Sequence, residues 1–113
     1  MSSIVPIVTI KGNKMLLKLA VAAMKNAYVP YSKFPVGVAI LSTKNKFYFG
    51  CNVENAAYPQ GLCAEAGAIS SMVSGGCLVI SEVLVVSKGT QLIVPCGGCR
   101  QKLSEFSKSE TRI

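Results

Sequence analysis

The stretch VGVAILS, residues 36–42, is rich in β-branched and apolar residues, and so is FYFGCNV, residues 47–53, in its aromatic fashion. The polar tetrapeptide TKNK lies between them. Two such runs around a short polar break predict an antiparallel hairpin. A hairpin needs a cover for its apolar face, and the flanking sequence supplies helices. Residues 12–27, GNKMLLKLAVAAMKNA, carry Leu16, Leu17, Ala20, Met24 and Ala27 at helical spacing. Asn13 can cap this helix, and Pro30 prevents its continuation. VPYSKFP then reads as a rigid loop with two prolines. ENAAYPQG is a second loop, and residues 63–74 a second helix that Gly75 and Gly76 end. SEVLVVS, residues 81–87, reads as a buried strand, and residues 96–106 as a third helix. Residues 1–10 read as an extended arm, and SETRI as the start of a further strand.

The order is then α-β-β-α-β-α, an α/β or α+β arrangement with helices on a sheet. The chain has 113 residues, which suits one domain, 1–113, with one modest core. Half the residues are apolar and 15% are charged, which excludes a disordered chain. No apolar run approaches the roughly 18–20 residues that cross a bilayer. An apolar balance in so short a chain predicts surface buried against other subunits. Twelve Lys and Arg against five Glu, with no Asp or His, give a net charge of +7. The lysines form no run, so the charge points to a solvated surface before a nucleic-acid partner.

The cysteines are Cys51, Cys63, Cys77, Cys96 and Cys99. The N-terminus lacks the pattern of a secretory signal, and the cysteine count is odd, so a reducing cytoplasm is expected rather than a disulfide framework. Cys96 and Cys99 are three apart, on one face of a first helical turn. Cys63 opens a different helix. A helix N-terminus favours the thiolate that a metal requires. Three sulfurs fit zinc with an open fourth position, as in catalytic sites. A redox pair, buried small residues, or a structural zinc completed by Cys51 or Cys77 are the other readings. Glu65, two residues after Cys63, separates them. A carboxylate beside a zinc-bound water can take its proton and pass it on. Otherwise Glu65 serves only the electrostatics of a helix start. Asn52 and Glu54 share one face of an extended segment, suited to two adjacent hydroxyls or to a strand-end turn. Phe34 and Tyr58, by themselves, read as packing residues.

Taken together, PYSKFPVGVAI, GCNVENAAYP, CAE and PCGGCRQ resemble, in order and spacing, the small homotetrameric zinc-dependent cytidine deaminases of the cytidine and deoxycytidylate deaminase family. The resemblance runs from about residue 15 to residue 106. It implies a three-layer α-β-α sandwich around a central mixed β-sheet, with a short C-terminal part. It implies hydrolysis of cytidine and deoxycytidine to uridine and deoxyuridine with release of ammonia, in pyrimidine salvage. Cys63, Cys96 and Cys99 are then the zinc ligands. Glu65 is the proton shuttle as a zinc-activated hydroxide attacks C4. Phe34 lies against the base, the Ala64 N–H binds the base carbonyl, and Asn52 and Glu54 bind the ribose. The loop with Ala56 and Tyr58 reaches a neighbouring subunit's site. The implied partners are a nucleoside and three further copies of the chain, with neither a polynucleotide nor a membrane.

Two departures stand out. Many three-cysteine members carry arginine after Cys-Ala-Glu, where it offsets the thiolate charge; here the residue is Ala66. The family also continues into further strand and helix beyond the point that corresponds to Ile113, so a sheet one strand short is expected. A deaminase of a modified nucleoside such as blasticidin S, or a zinc-stabilised binding module with weak catalysis, are the alternatives. The Asn52/Glu54 pair favours a plain ribose, and Glu65 favours catalysis.

Overall fold

The computed structural model describes residues 4–6, 14–88 and 97–112, with 4–6, 88, 97–100 and 108–112 described by their backbone. The elements are β1 (Ile4–Pro6), α1 (Lys14–Lys25), β2 (Val36–Ser42), β3 (Phe47–Cys51), a 3-10 turn (Tyr58–Gln60), α2 (Ala64–Ser74), β4 (Ile80–Lys88), α3 (Gly97–Glu105) and β5 (Ser107–Arg112).

β2 pairs with β3 through the predicted hairpin, Gly37 opposite Cys51 and Leu41 opposite Phe47. The turn holds because the Ser42 hydroxyl accepts the Lys44 and Lys46 N–H groups, at 3.3 Å each, and Asn45 takes a left-handed φ of 61°. Asparagine tolerates that conformation better than most residues. β4 lies antiparallel along the other edge of β2. Its far edge is shared by β1, antiparallel, and β5, parallel. The sheet is therefore mixed, as expected, but it has five strands. The extended arm forms β1 in part and the tail forms β5, so the sheet has two strands more than the three that the apolar runs announce. SKSETR has no apolar alternation to announce a strand; pairing with β4 decides its conformation.

α1 covers one face. Leu16, Ala20, Ala23 and Met24 are buried at spacings of four, seven and eight. Leu16, Ala20 and Met24 meet Ala39, Leu84 and Val86. Each fully buried Leu or Met contributes about 1.5–3 kcal/mol. Leu17, expected on this stripe, is instead 43% exposed, because it sits about 100° around the helix from Leu16. α2 and α3 cover the opposite face. Ala64, Ala68, Ile69, Met72 and Leu103 close over Val38, Ile40, Val83 and Val85. The layers are thus α, β, α.

Two glycines set the distance of the helices from the sheet. A Cβ on Gly37 would collide with the Ala20 carbonyl and lie 2.6 Å from the Met24 nitrogen of α1. A Cβ on Gly50 would meet the Ala68 nitrogen and lie 2.9 Å from the Ala64 carbonyl of α2. β2 begins at the sheet end where β3 and β4 finish, since it runs antiparallel to both. Gly50, near that end, lies directly under the first turn of α2. This brings the loop before β2, the segment after β3 and the start of α2 to one end of the sheet.

Candidate active site

Cys63 is the N-cap of α2, with extended φ and ψ of −78° and 158°. Its Sγ accepts the Ala66 N–H at 3.4 Å, and its carbonyl accepts the Gly67 N–H at 3.1 Å. The helix start thus directs an N–H donor and its positive end at this sulfur. Glu65 follows in the first turn and is only 5% exposed. Its carboxylate takes no hydrogen bond from any described residue. Ala64, 1% exposed, holds the first helical position, where an N–H has no acceptor within the helix.

Cys99 falls in the first turn of α3, described by its backbone, and Cys96 lies outside the described residues. No three ligand-type side chains gather among the described residues alone. The described part of the site fits zinc: a thiol capping α2 with an N–H donor on its sulfur, and a second cysteine opening α3, which packs on the same sheet face. Cys77 and Cys51 do not belong to this group. Cys77 is buried beyond the C-terminal end of α2, an 11-residue helix about 16 Å long. There its Sγ lies 3.3 Å from the Tyr48 hydroxyl. Hydrogen bonding by Ser42, then by Tyr48, pulls the Cys77 thiol below its ordinary value against the effect of burial, and Tyr48 is pushed up by the same contact. Cys51 alternates with Gly50 along β3, so its side chain points away from α2, and burial raises its thiol.

A cleft of about 780 Å³ opens beside Cys63, bordered by Tyr31, Ser32, Asn52, Glu54, Ala56 and Tyr58. That volume suits one small molecule. Asn52, Glu54, Ala56, Tyr58 and Cys63 were all expected at the site, and they line one space. Phe34 lies close by, 37% exposed, with its carbonyl accepting Asn52 Nδ2 at 3.0 Å. Asn52 Oδ1 accepts the Val36 N–H at 2.9 Å. Glu54 Oε1 accepts the N–H groups of Tyr31 and Ser32 at 3.0 and 3.1 Å. The Ser32 hydroxyl, then these backbone donors and the charge of Lys33, hold the Glu54 carboxyl below the usual range against burial. Tyr31 and Ser32 were not singled out from the sequence. The prolines flanking them marked a rigid loop, but nothing local showed that it would fold onto Glu54.

These features define an α/β domain whose helix-capping thiol borders a small-molecule cleft, with a buried carboxylate two residues further along the same helical turn. The family model for the cytidine and deoxycytidylate deaminase zinc-binding region matches residues 11–113. Cytidine deaminase of Sporosarcina psychrophila is 46% identical over 84 residues, 74% of this chain and 62% of the relative. That of Halalkalibacterium halodurans is 38% identical over 100 residues, 88% of this chain and 76% of the relative. The crystal structure of cytidine deaminase from Mycobacterium tuberculosis superposes with a TM-score of 0.81 at 38% identity, covering 90% of this chain and 83% of that one. The chain belongs to the cytidine and deoxycytidylate deaminase family, hydrolases of C–N bonds with a zinc-binding region. Sequence and fold likeness both support cytidine deamination as its reaction.

Proposed function

We propose that this domain hydrolyses cytidine and deoxycytidine to uridine and deoxyuridine, releasing one ammonia per turnover. The observation that carries the reading is the first turn of α2, where Cys63 caps the helix beside the cleft and Glu65 lies buried two residues on. Cys63, Cys96 and Cys99 would hold the zinc. Bound there, zinc supplies the Lewis acidity that brings water towards ionisation near neutral pH.

The chain's own residues do the rest. Glu65 takes the proton of the attacking water and delivers it to N3 of the ring. The water oxygen bonds to C4, the C4–N bond breaks, and Glu65 helps protonate the departing amine. A carboxylate that takes no hydrogen bond from the described residues is free to exchange that proton. The Ala64 N–H binds the base carbonyl, and Phe34 lies against the ring. Asn52 and Glu54 face the ribose with the capacity their loop contacts leave over: a second amide hydrogen on Asn52 and the Oε2 of Glu54. The volume of the cleft suits a nucleoside. We place the reaction in cytoplasmic pyrimidine salvage and the working unit as a homotetramer, with Ala56 and Tyr58 reaching a neighbour's cleft. The exposure of Tyr58, 90% in the protomer, supports the contact with a neighbouring copy.

The test is Glu65→Gln, followed by the ultraviolet absorbance of cytidine. Loss of a positioned proton carrier lowers the rate by roughly 100- to 10,000-fold. A folded, zinc-containing variant should show that loss. Turnover within a few-fold of the parent would remove Glu65 from the mechanism.

A further inference from the structure

We infer that Asn52 and Glu54 act as a latch on the 31–36 loop, so that Asn52 positions Phe34 in addition to facing the sugar. This deepens the deaminase reading and rests on it. The backbone accounting is the starting point. Pro35 has no N–H, so the loop from Tyr31 to Val36 must place five N–H groups. Lys33 donates to the Val29 carbonyl, and Phe34 to the Ser32 hydroxyl. The other three, on Tyr31, Ser32 and Val36, go to the side chains of Glu54 and Asn52. Asn52 spans Pro35, accepting from Val36 on one side and donating to the Phe34 carbonyl on the other.

The latch has a firm base. The Asn52 carbonyl accepts the Tyr28 N–H at 3.1 Å, and the Glu54 N–H donates to the Tyr28 carbonyl at 2.9 Å. Val53 between them exchanges two hydrogen bonds of 2.8 Å with Leu62, the residue before Cys63. Residues 52–54 therefore tie the Phe34 loop to the start of α2. The loop needs restraint, because Lys33 sits at a left-handed φ of 59° that a non-glycine residue resists. Phe34 itself is 37% exposed, so packing alone does not fix its ring.

The test separates the latch from direct sugar binding. Amide hydrogen exchange is measured on the protein without nucleoside, for the parent, Asn52→Ala, Glu54→Ala and the conservative Glu54→Gln. The latch predicts at least tenfold loss of protection at Val36 in Asn52→Ala, and at Tyr31 and Ser32 in Glu54→Ala, with protection kept in Glu54→Gln. Should one alanine variant fail to fold, the other still reports. In parallel, kcat/KM is compared for cytidine and 2′,3′-dideoxycytidine, which lacks both ribose hydroxyls. A positioning role predicts that Asn52→Ala loses activity on both substrates, and that adding Phe34→Ala costs less than the sum of the single losses. Unchanged exchange, or a loss that vanishes with the dideoxy substrate, would overturn the proposal. Should the parent deaminate neither nucleoside, the deaminase reading fails by itself, and the exchange data still decide the latch.

Discussion

The Glu54 carboxyl is held ionised in the folded chain by the Ser32 hydroxyl, by two backbone N–H groups and by Lys33. Its folded pKa therefore lies below its unfolded one. The stabilisation is complete above the ordinary glutamate value of about 4.3 and is lost as pH falls through the lower, folded value. The amide signals of Tyr31 and Ser32, followed by NMR on acidification, should report a titration below the ordinary range. Titration at or above that range would mean that the carboxylate does not hold the loop. The sequence made Asn52 and Glu54 legible as a pair, because residues two apart in an extended segment share a face. Their hydrogen-bond partners were not legible. Those lie 16 to 23 residues away, in a loop with no periodicity to betray its path. Cys51 and Cys77 are a similar case. Only the strand alternation and the length of α2 remove them from the metal group.

At the scale of elements, the start of α2 is placed by the strand beneath it. Gly50→Ala should force α2 off β3, because the new methyl group meets backbone, which cannot rotate away. We expect a loss of about 1–3 kcal/mol and at least tenfold lower activity. Gly67→Ala, in the same helix, is the opposite case. Its added Cβ comes no closer than 3.6 Å to a neighbour, so the helix should gain about 0.5–1 kcal/mol. Urea unfolding midpoints check both signs. The hairpin and helices were readable because their apolar periods are strong. β2 matches its expected bounds, and α2 begins one residue after its capping cysteine. β3 stops at Cys51, short of the expected Val53, because residues 52–54 turn their backbone to Tyr28 and Leu62. β1 and β5 were legible only as an arm and a tail, since each becomes a strand through distant pairing with β4.

For the whole molecule, the apolar balance of the sequence reappears as exposed side chains on the rim of the cleft. Tyr58 is 90% exposed, Leu62 49% and Val53 43%. Contiguous apolar surface of this kind favours association. Light scattering should give a solution mass about four times the 11.9 kDa of one chain. A monomer at every concentration would contradict the proposed tetramer. The motifs made the chemistry legible because Cys63 and Glu65 are neighbours in sequence and remain neighbours on one helical turn. Cys63, Glu54 and Asn52 come together only because β2, β3 and α2 meet at one end of the sheet. The most direct measurement is the yield of uridine and ammonia from cytidine, using protein whose zinc content has been determined. Equal amounts of both products, at one zinc per chain, are expected. Zinc-loaded, folded protein that forms neither product, from cytidine or from deoxycytidine, would contradict the deaminase assignment.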